Sequence, residues 1–343
     1  MSYETGTASS QEDLIGKLYT FATGHGWTGN INSTTNDWAA LNNGSVYVQF
    51  RWDNTAGIAM FQSLGFINTS TAPGNHTSDS GVGQVDASTP YNATITAERR
   101  ITIGNGPYVR YWFFTDGTTK YIHCVVEWAT GKFRHFGFGT IDKIGSWTGG
   151  QYAYAQRWAA DASAASDNPL ASGASASNSG QNVLFDWLGG SSTAADAAET
   201  CCTIHIESLT GQPAGSKWGM YLSQTSTFGT DRAGNARFGV RGGVRGGLAL
   251  QEYGPFIANL VNGAIPLVPI GTWFHDTSVN PVTCMLLGTT ADMCTIQMRN
   301  IVPAQEFTVG SDTWMVFPLA RKQWLQADTE ESGNAGIAYR KVP

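Results

Sequence analysis

From Tyr111 onward the apolar and polar positions of this chain alternate with a period of two. In an extended segment from Tyr121, the residues Ile122, Cys124, Val126 and Trp128 share one face, and Tyr121, His123, Val125 and Glu127 share the other. The first set is wholly apolar and the second is mixed. Phe133 and His135 then oppose Arg134, Phe136 and Phe138. Asp116-Gly117 and Thr130-Gly131 are turn dipeptides that break the pattern into strands. The alternation predicts a β-meander with one buried face and one mixed face.

Shorter segments of the same kind recur at residues 45–52, 58–66, 94–103, 203–208, 218–223, 314–318 and 336–340, each bounded by Gly, Pro or Asn. Residues 284–298 read as a hairpin turning near Gly288–Asp292. Only residues 9–26 carry a helical period. Leu14, Leu18 and Phe21 recur along one stripe, widened by Ile15 and Ala22, and Gly24 and Gly26 stop it. Ser9 with Glu12 three residues later has the form of a capping box. The fold class expected is mainly β: β-sandwich-like lobes, one N-terminal α-helix and long surface loops. Residues 159–180 are poor in large apolar side chains and cannot build a core of their own. The organisation expected is therefore a lobe at 1–160, a linker or surface excursion at 161–200, and a second β-rich lobe at 201–343.

Charged residues make up 13% of the chain, about half the usual share, while glycine reaches 41 residues. This is a neutral, turn-rich surface suited to packing against neighbours. The net charge of -6 argues against binding nucleic acid or an anionic membrane. No apolar run is long enough to span a bilayer, and the N-terminus has no basic and apolar leader pattern. The five cysteines, Cys124, Cys201, Cys202, Cys284 and Cys294, show no C-x-x-C spacing. Buried thiols are the expectation, with a Cys284–Cys294 pairing across the hairpin as the alternative.

Candidate chemistry is sparse. His123 and His135 fall on adjacent strands with Glu127 near them, a grouping that could handle a proton or a metal if the register brought it together. His275-Asp276 near Ser278 has the residue types of a hydrolase triad but not its usual separation in sequence. No nucleophile elbow, zincin helix or phosphate loop is present, so no catalytic residue, metal or cofactor is expected. Arg237, Arg241 and Arg245 lie four apart in Gly-rich sequence, and a loop docking on a partner's carboxylates or carbonyls is the reading preferred over nucleic-acid contact. Leu14, Leu18 and Phe21 are expected to face protein and join these arginines as candidate interface residues. Trp112, Trp128, Trp147 and Trp158 are the candidate sugar-stacking set.

Several landmarks carry a family resemblance. They are Tyr3-Glu4-Thr5-Gly6-Thr7-Ala8 at the start, Phe133-Arg134-His135-Phe136-Gly137-Phe138-Gly139 and Trp147-Thr148-Gly149-Gly150-Gln151-Tyr152 in the middle, and Trp314–Pro318 with Gly336-Ile337-Ala338-Tyr339-Arg340-Lys341 near the end. In these the chain resembles a family of tailed-bacteriophage virion proteins, described as tail or baseplate structural components. The resemblance implies a structural subunit of a virion, assembled in the bacterial host cytoplasm, whose partners are other tail or baseplate proteins and copies of itself. Alternatives of the same origin are a carbohydrate-binding, receptor-recognising tail fibre or tip protein and a head decoration protein, with a host surface glycan as partner for the former. The resemblance brings no catalytic residue, and neither nucleic-acid binding nor membrane insertion is expected.

Overall fold

The meander forms as the alternation requires. In a computed structural model, β7 (Tyr108–Phe114), β8 (Tyr121–Ala129), β9 (Lys132–Thr140) and β11 (Thr148–Ala155) are successive antiparallel neighbours. The structure describes residues 2–32, 38–52, 60–65, 101–102, 106–155, 203–207, 218–221, 229–230, 237–241, 267–276, 283–298, 300–318 and 335–343. At the β8–β9 turn Gly131 takes a φ of 73°, and its N–H donates to Glu127 Oε1 at 2.7 Å. Gly139 stands opposite Tyr121, where an added Cβ would lie 2.5 Å from the Tyr121 Cβ, so only glycine allows this approach. β1 (Tyr3–Ala8) closes one edge, and β12 (Thr203–Glu207) and β13 (Trp218–Tyr221) extend the other. The central sheet has seven strands in the order β1-β7-β8-β9-β11-β12-β13.

The apolar face of this sheet is covered by α1 (Gln11–Gly24) and by an antiparallel sheet of β2 (Thr28–Asn32), β3 (Trp38–Asn42), β4 (Tyr47–Arg51), β5 (Met60–Gly65) and β6 (Ile101–Thr102). Ile122, Cys124, Val126, Phe136 and Phe138 meet Leu14, Leu18, Phe21, Leu41, Val48 and Phe50 in one buried cluster. Trp27 strikes Phe138 edge-on with ring centroids 4.9 Å apart.

Capping sets the helix limits. Ser10, not Ser9, is the N-cap. Its backbone is extended at φ −155°, and its Oγ accepts from the Asp13 N–H at 3.1 Å. Asp13 in turn accepts from the Ser9 N–H at 2.8 Å and from Lys17 Nζ at 2.9 Å. The box is therefore shifted one residue along, with Asp13 in the role expected of Glu12. The C-terminus closes as a Schellman motif around Gly26 at φ 88°: Trp27 N–H donates to Ala22 O and Gly26 N–H to Thr23 O. Ser10→Ala is expected to lower stability by about 1 kcal/mol. Ser9→Ala should cost less, because its backbone contact to Asp13 survives. Urea denaturation of the two variants provides the comparison.

The mixed face is also buried, against the expectation from its polar residues. A second sheet lies over it, built from β14 (Gly229–Thr230), β15 (Arg237–Arg241), β16 (Val268–Asp276), β17 (Thr283–Gln297), β20 (Ala335–Lys341), β19 (Asp312–Pro318) and β18 (Gln305–Val309) in that spatial order. β10 (Asp142–Lys143), from the end of the meander, pairs with β17. Phe114 stacks on Tyr339 at 5.1 Å, and Trp112 meets Phe317 at 4.7 Å. The fold is mainly β, with the central sheet enclosed between two other layers. The outer side of the second sheet has its own small cluster of Cys294, Ile296, Met298, Ile301, Val316 and Ala338.

The sheets cross the expected lobe boundaries. β12 and β13 continue the N-terminal meander, and β10 joins the C-terminal sheet. The linker at 161–200 lies outside the described residues. The hairpin expected at 284–298 is instead one long strand, β17, bearing an irregularity where Asp292 takes a φ of 52°. Cys284 and Cys294 pair with His275 and Pro269 of β16 and do not oppose each other. Cys124 and Cys294 are free, buried thiols.

Candidate functional site

The polar residues of the mixed face meet the second sheet along a seam. His123 and His135 project from the same face of adjacent strands, with His123 opposite Gly137 and Val125 opposite His135. Both rings are fully buried. His135 Nε2 lies 2.8 Å from the Pro318 carbonyl on β19, and Nδ1 lies 2.8 Å from the Tyr339 hydroxyl on β20. A carbonyl only accepts, so Nε2 carries the proton and Tyr339 donates to Nδ1. His123 Nε2 donates to the Ala291 carbonyl on β17 at 3.1 Å. Burial lowers both imidazoles to about 4, more than two units below the ordinary value. Each ring is a neutral crosslink from the central sheet to the second one.

A charged group extends the seam. The Tyr121 hydroxyl donates to Asp292 Oδ2 at 2.6 Å, while Arg340 reaches Asp292 Oδ1 at 3.1 Å and Asp312 Oδ1 at 2.7 Å. Burial, and then the Asp292 carboxylate, push the Tyr121 phenol far up. The hydrogen bond to Asp292 raises Arg340. Asp292 thus ties β8 to β20, and Arg340 ties β17 to β19. Tyr339, Asp292 and Arg340 escaped the sequence reading. The signal was the run Tyr339-Arg340-Lys341 closing a strand that opens on small and apolar residues.

The histidine pair is brought together as the sequence allowed, but without a third ligand. Glu127 caps the β8–β9 turn instead. Among the described residues no group of three or more His, Cys, Asp or Glu could hold a metal. His275 and Asp276 are consecutive residues of β16, and Ser278 lies outside the described residues.

The tryptophans do not form one platform. Trp112 lies on the seam side, buried against Phe317 and Phe133. Trp128 lies on the other side of the central sheet, where Lys132 and Arg134 sit over its ring at 5.2 and 5.4 Å. Trp147 is buried, and its indole N–H donates to the Leu287 carbonyl at 3.3 Å. Trp158 lies outside the described residues.

Of the candidate interface residues, Leu14, Leu18 and Phe21 are consumed by the chain's own core, at 0, 0 and 4% exposure. Arg237 and Arg241 belong to strand β15, where Arg237 pairs with Thr230 of β14 and His275 of β16 and Arg241 pairs with Gly271 of β16. Arg245 lies outside the described residues, as do residues 159–180. What the seam can do chemically is hold two sheets in register. His123, His135 and Tyr121 are all 0% exposed, whereas Asp292, Arg340 and Asp312 keep part of their surface in water. No family model matches this chain, and no curated protein matches it.

Proposed function

We propose that this chain is a structural subunit of a tailed-bacteriophage virion, a tail or baseplate component that assembles through protein–protein contacts. The observation that carries the reading is where the landmark residues of the resemblance lie. Tyr3–Ala8 is β1, the Phe133–Gly139 motif is in β9, the Trp147–Tyr152 motif enters β11, and Trp314–Pro318 and Gly336–Lys341 fall in β19 and β20. The motifs therefore specify the two stacked sheets and the seam between them, not an open site. Motifs spent on buried packing carry the fold and offer no reactive group, in keeping with a role played through contacts. The polar, Gly-rich surface and low charge suit repeated contact with neighbouring subunits.

The reading is tested on purified tailed particles that encode the chain. Antibody raised against the recombinant protein should label the tail or baseplate in electron micrographs, and peptide mass spectrometry should find the chain at a fixed ratio to the other tail proteins. Its absence from purified particles would overturn the proposal. Labelling confined to the head would reassign it to decoration.

A further inference from the structure

We propose that the seam is an acid-released joint, in which protonation of His123 and His135 parts the second sheet from the central sheet while the helix-side layers stay packed. The inference concerns the fold's response to pH and holds whichever particle the chain belongs to. It starts from an asymmetry between the two faces of the central sheet. Among the described residues the helix-side cluster is aliphatic and aromatic and holds no imidazole: Tyr19, Tyr108, Tyr111 and Cys124 are neutral in acid, and the half-buried His25 packs on Phe21 at its edge. The seam side instead carries two imidazoles, and three of its cross-sheet hydrogen bonds run through them: to Ala291, Tyr339 and Pro318.

Burial holds each ring neutral, although its bond to a backbone carbonyl, Ala291 or Pro318, would favour the charged form. A second proton on His135 would land on Nδ1 and force the Tyr339 hydroxyl to turn from donor to acceptor. The new cation would lie between Phe317 and Tyr339, beside the Arg134 cation on its own strand. His123 stacks on Tyr121 at 4.4 Å and lies near Tyr152 and Tyr339. Asp292 and Asp116 favour its charged form, but burial outweighs them, and the Asp292 charge is already shared with Arg340. Because both folded values lie below the ordinary 6.5, the opened seam binds more protons between about pH 6.5 and 4. The stability these rings contribute is complete above about pH 6.5 and is lost as the pH falls towards 4. Parting the sheets costs least on this side, since it lets both imidazoles charge in water.

Hydrogen exchange read by mass spectrometry, corrected for the intrinsic pH dependence of exchange, tests this on the full chain. At pH 4 relative to pH 7.5, protection in 312–318 and 335–341 should fall at least tenfold while residues 11–24 keep theirs. The H123Q/H135Q double variant cannot charge at these positions and should hold its seam protection at pH 4. Unchanged protection at 312–318 and 335–341 in the wild type overturns the proposal, as does its loss together with that of α1. Seam loss at pH 4 in the folded double variant also overturns it. Should the double variant fail to fold, the wild-type histidine ring signals decide. Two imidazoles that stay neutral well below pH 6 and charge only as the seam exchanges support the joint, whereas two that titrate independently near 6.5 refute it.

Discussion

Leu18→Asp is expected to leave no folded protein at neutral pH. Leu18 sits at 0% exposure in the centre of the α1 stripe, between Leu14 and Phe21, where the helix meets Phe113, Ile122 and Phe136 of the central sheet. Removing the leucine side chain alone would cost about 2–5 kcal/mol. An unpaired carboxylate in the same place adds a desolvation penalty of several kcal/mol, unless it takes up a proton at further cost. The sum is comparable with the whole stability of an ordinary domain, about 5–15 kcal/mol. Far-ultraviolet circular dichroism and size-exclusion chromatography should show an unfolded or aggregated chain. Leu18→Met keeps the volume and should lose less than about 1.5 kcal/mol. A soluble, native-like Leu18→Asp protein would show that α1 is not part of the core.

The second large effect is expected at Tyr339. Its ring is fully buried and packs against Phe114 at 5.1 Å, His123 at 5.6 Å, His135 at 5.8 Å and Phe317 at 6.1 Å. Its hydroxyl is the donor to His135 Nδ1. Tyr339→Ala should lower stability by about 3–5 kcal/mol through the cavity alone. Tyr339→Phe keeps the ring and removes the donor, and should lose only about 1–2 kcal/mol. The gap between the two variants in guanidinium melts separates packing from hydrogen bonding. Equal losses would mean that the hydroxyl, not the ring, holds the seam.

The sequence made the meander legible because its strands are long, alternate cleanly and are divided by Gly-containing turns. The face that it marks as apolar is the face that α1 covers. The helix was legible in its stripe but off by one at its cap, since Ser9 and Ser10 are equivalent in pattern and only the extended backbone of Ser10 decides between them. β1 and β18 were not legible. Tyr3–Ala8 and Gln305–Val309 are short edge strands whose large apolar residues are only Tyr3, Phe307 and Val309, too few for alternation to mark them. β17 hid for a different reason: Gly288 to Asp292 reads as a turn, but β10 and β16 pair Gly288 and Thr289 from both sides, and pairing resumes with β20 at Met293. The burial of the mixed face was invisible for a deeper reason. His123 and His135 look solvent-facing until their acceptors are known, and those acceptors lie more than 160 residues away in sequence. Long-range pairing of that kind leaves no local trace.

That separation in sequence has a consequence for how the protein is made. The aromatic face of the meander, with Trp112, Phe114, Tyr121 and Phe133, is complete once β11 ends at Ala155, whereas the residues that cover it, Phe317 and Tyr339, are synthesised well after it. At about 5–20 residues per second a ribosome takes on the order of ten to forty seconds to cross that gap. Until those strands emerge, the aromatic face lacks the cover that Phe317 and Tyr339 give it, and exposed apolar surface of that kind is where a nascent copy is open to aggregation.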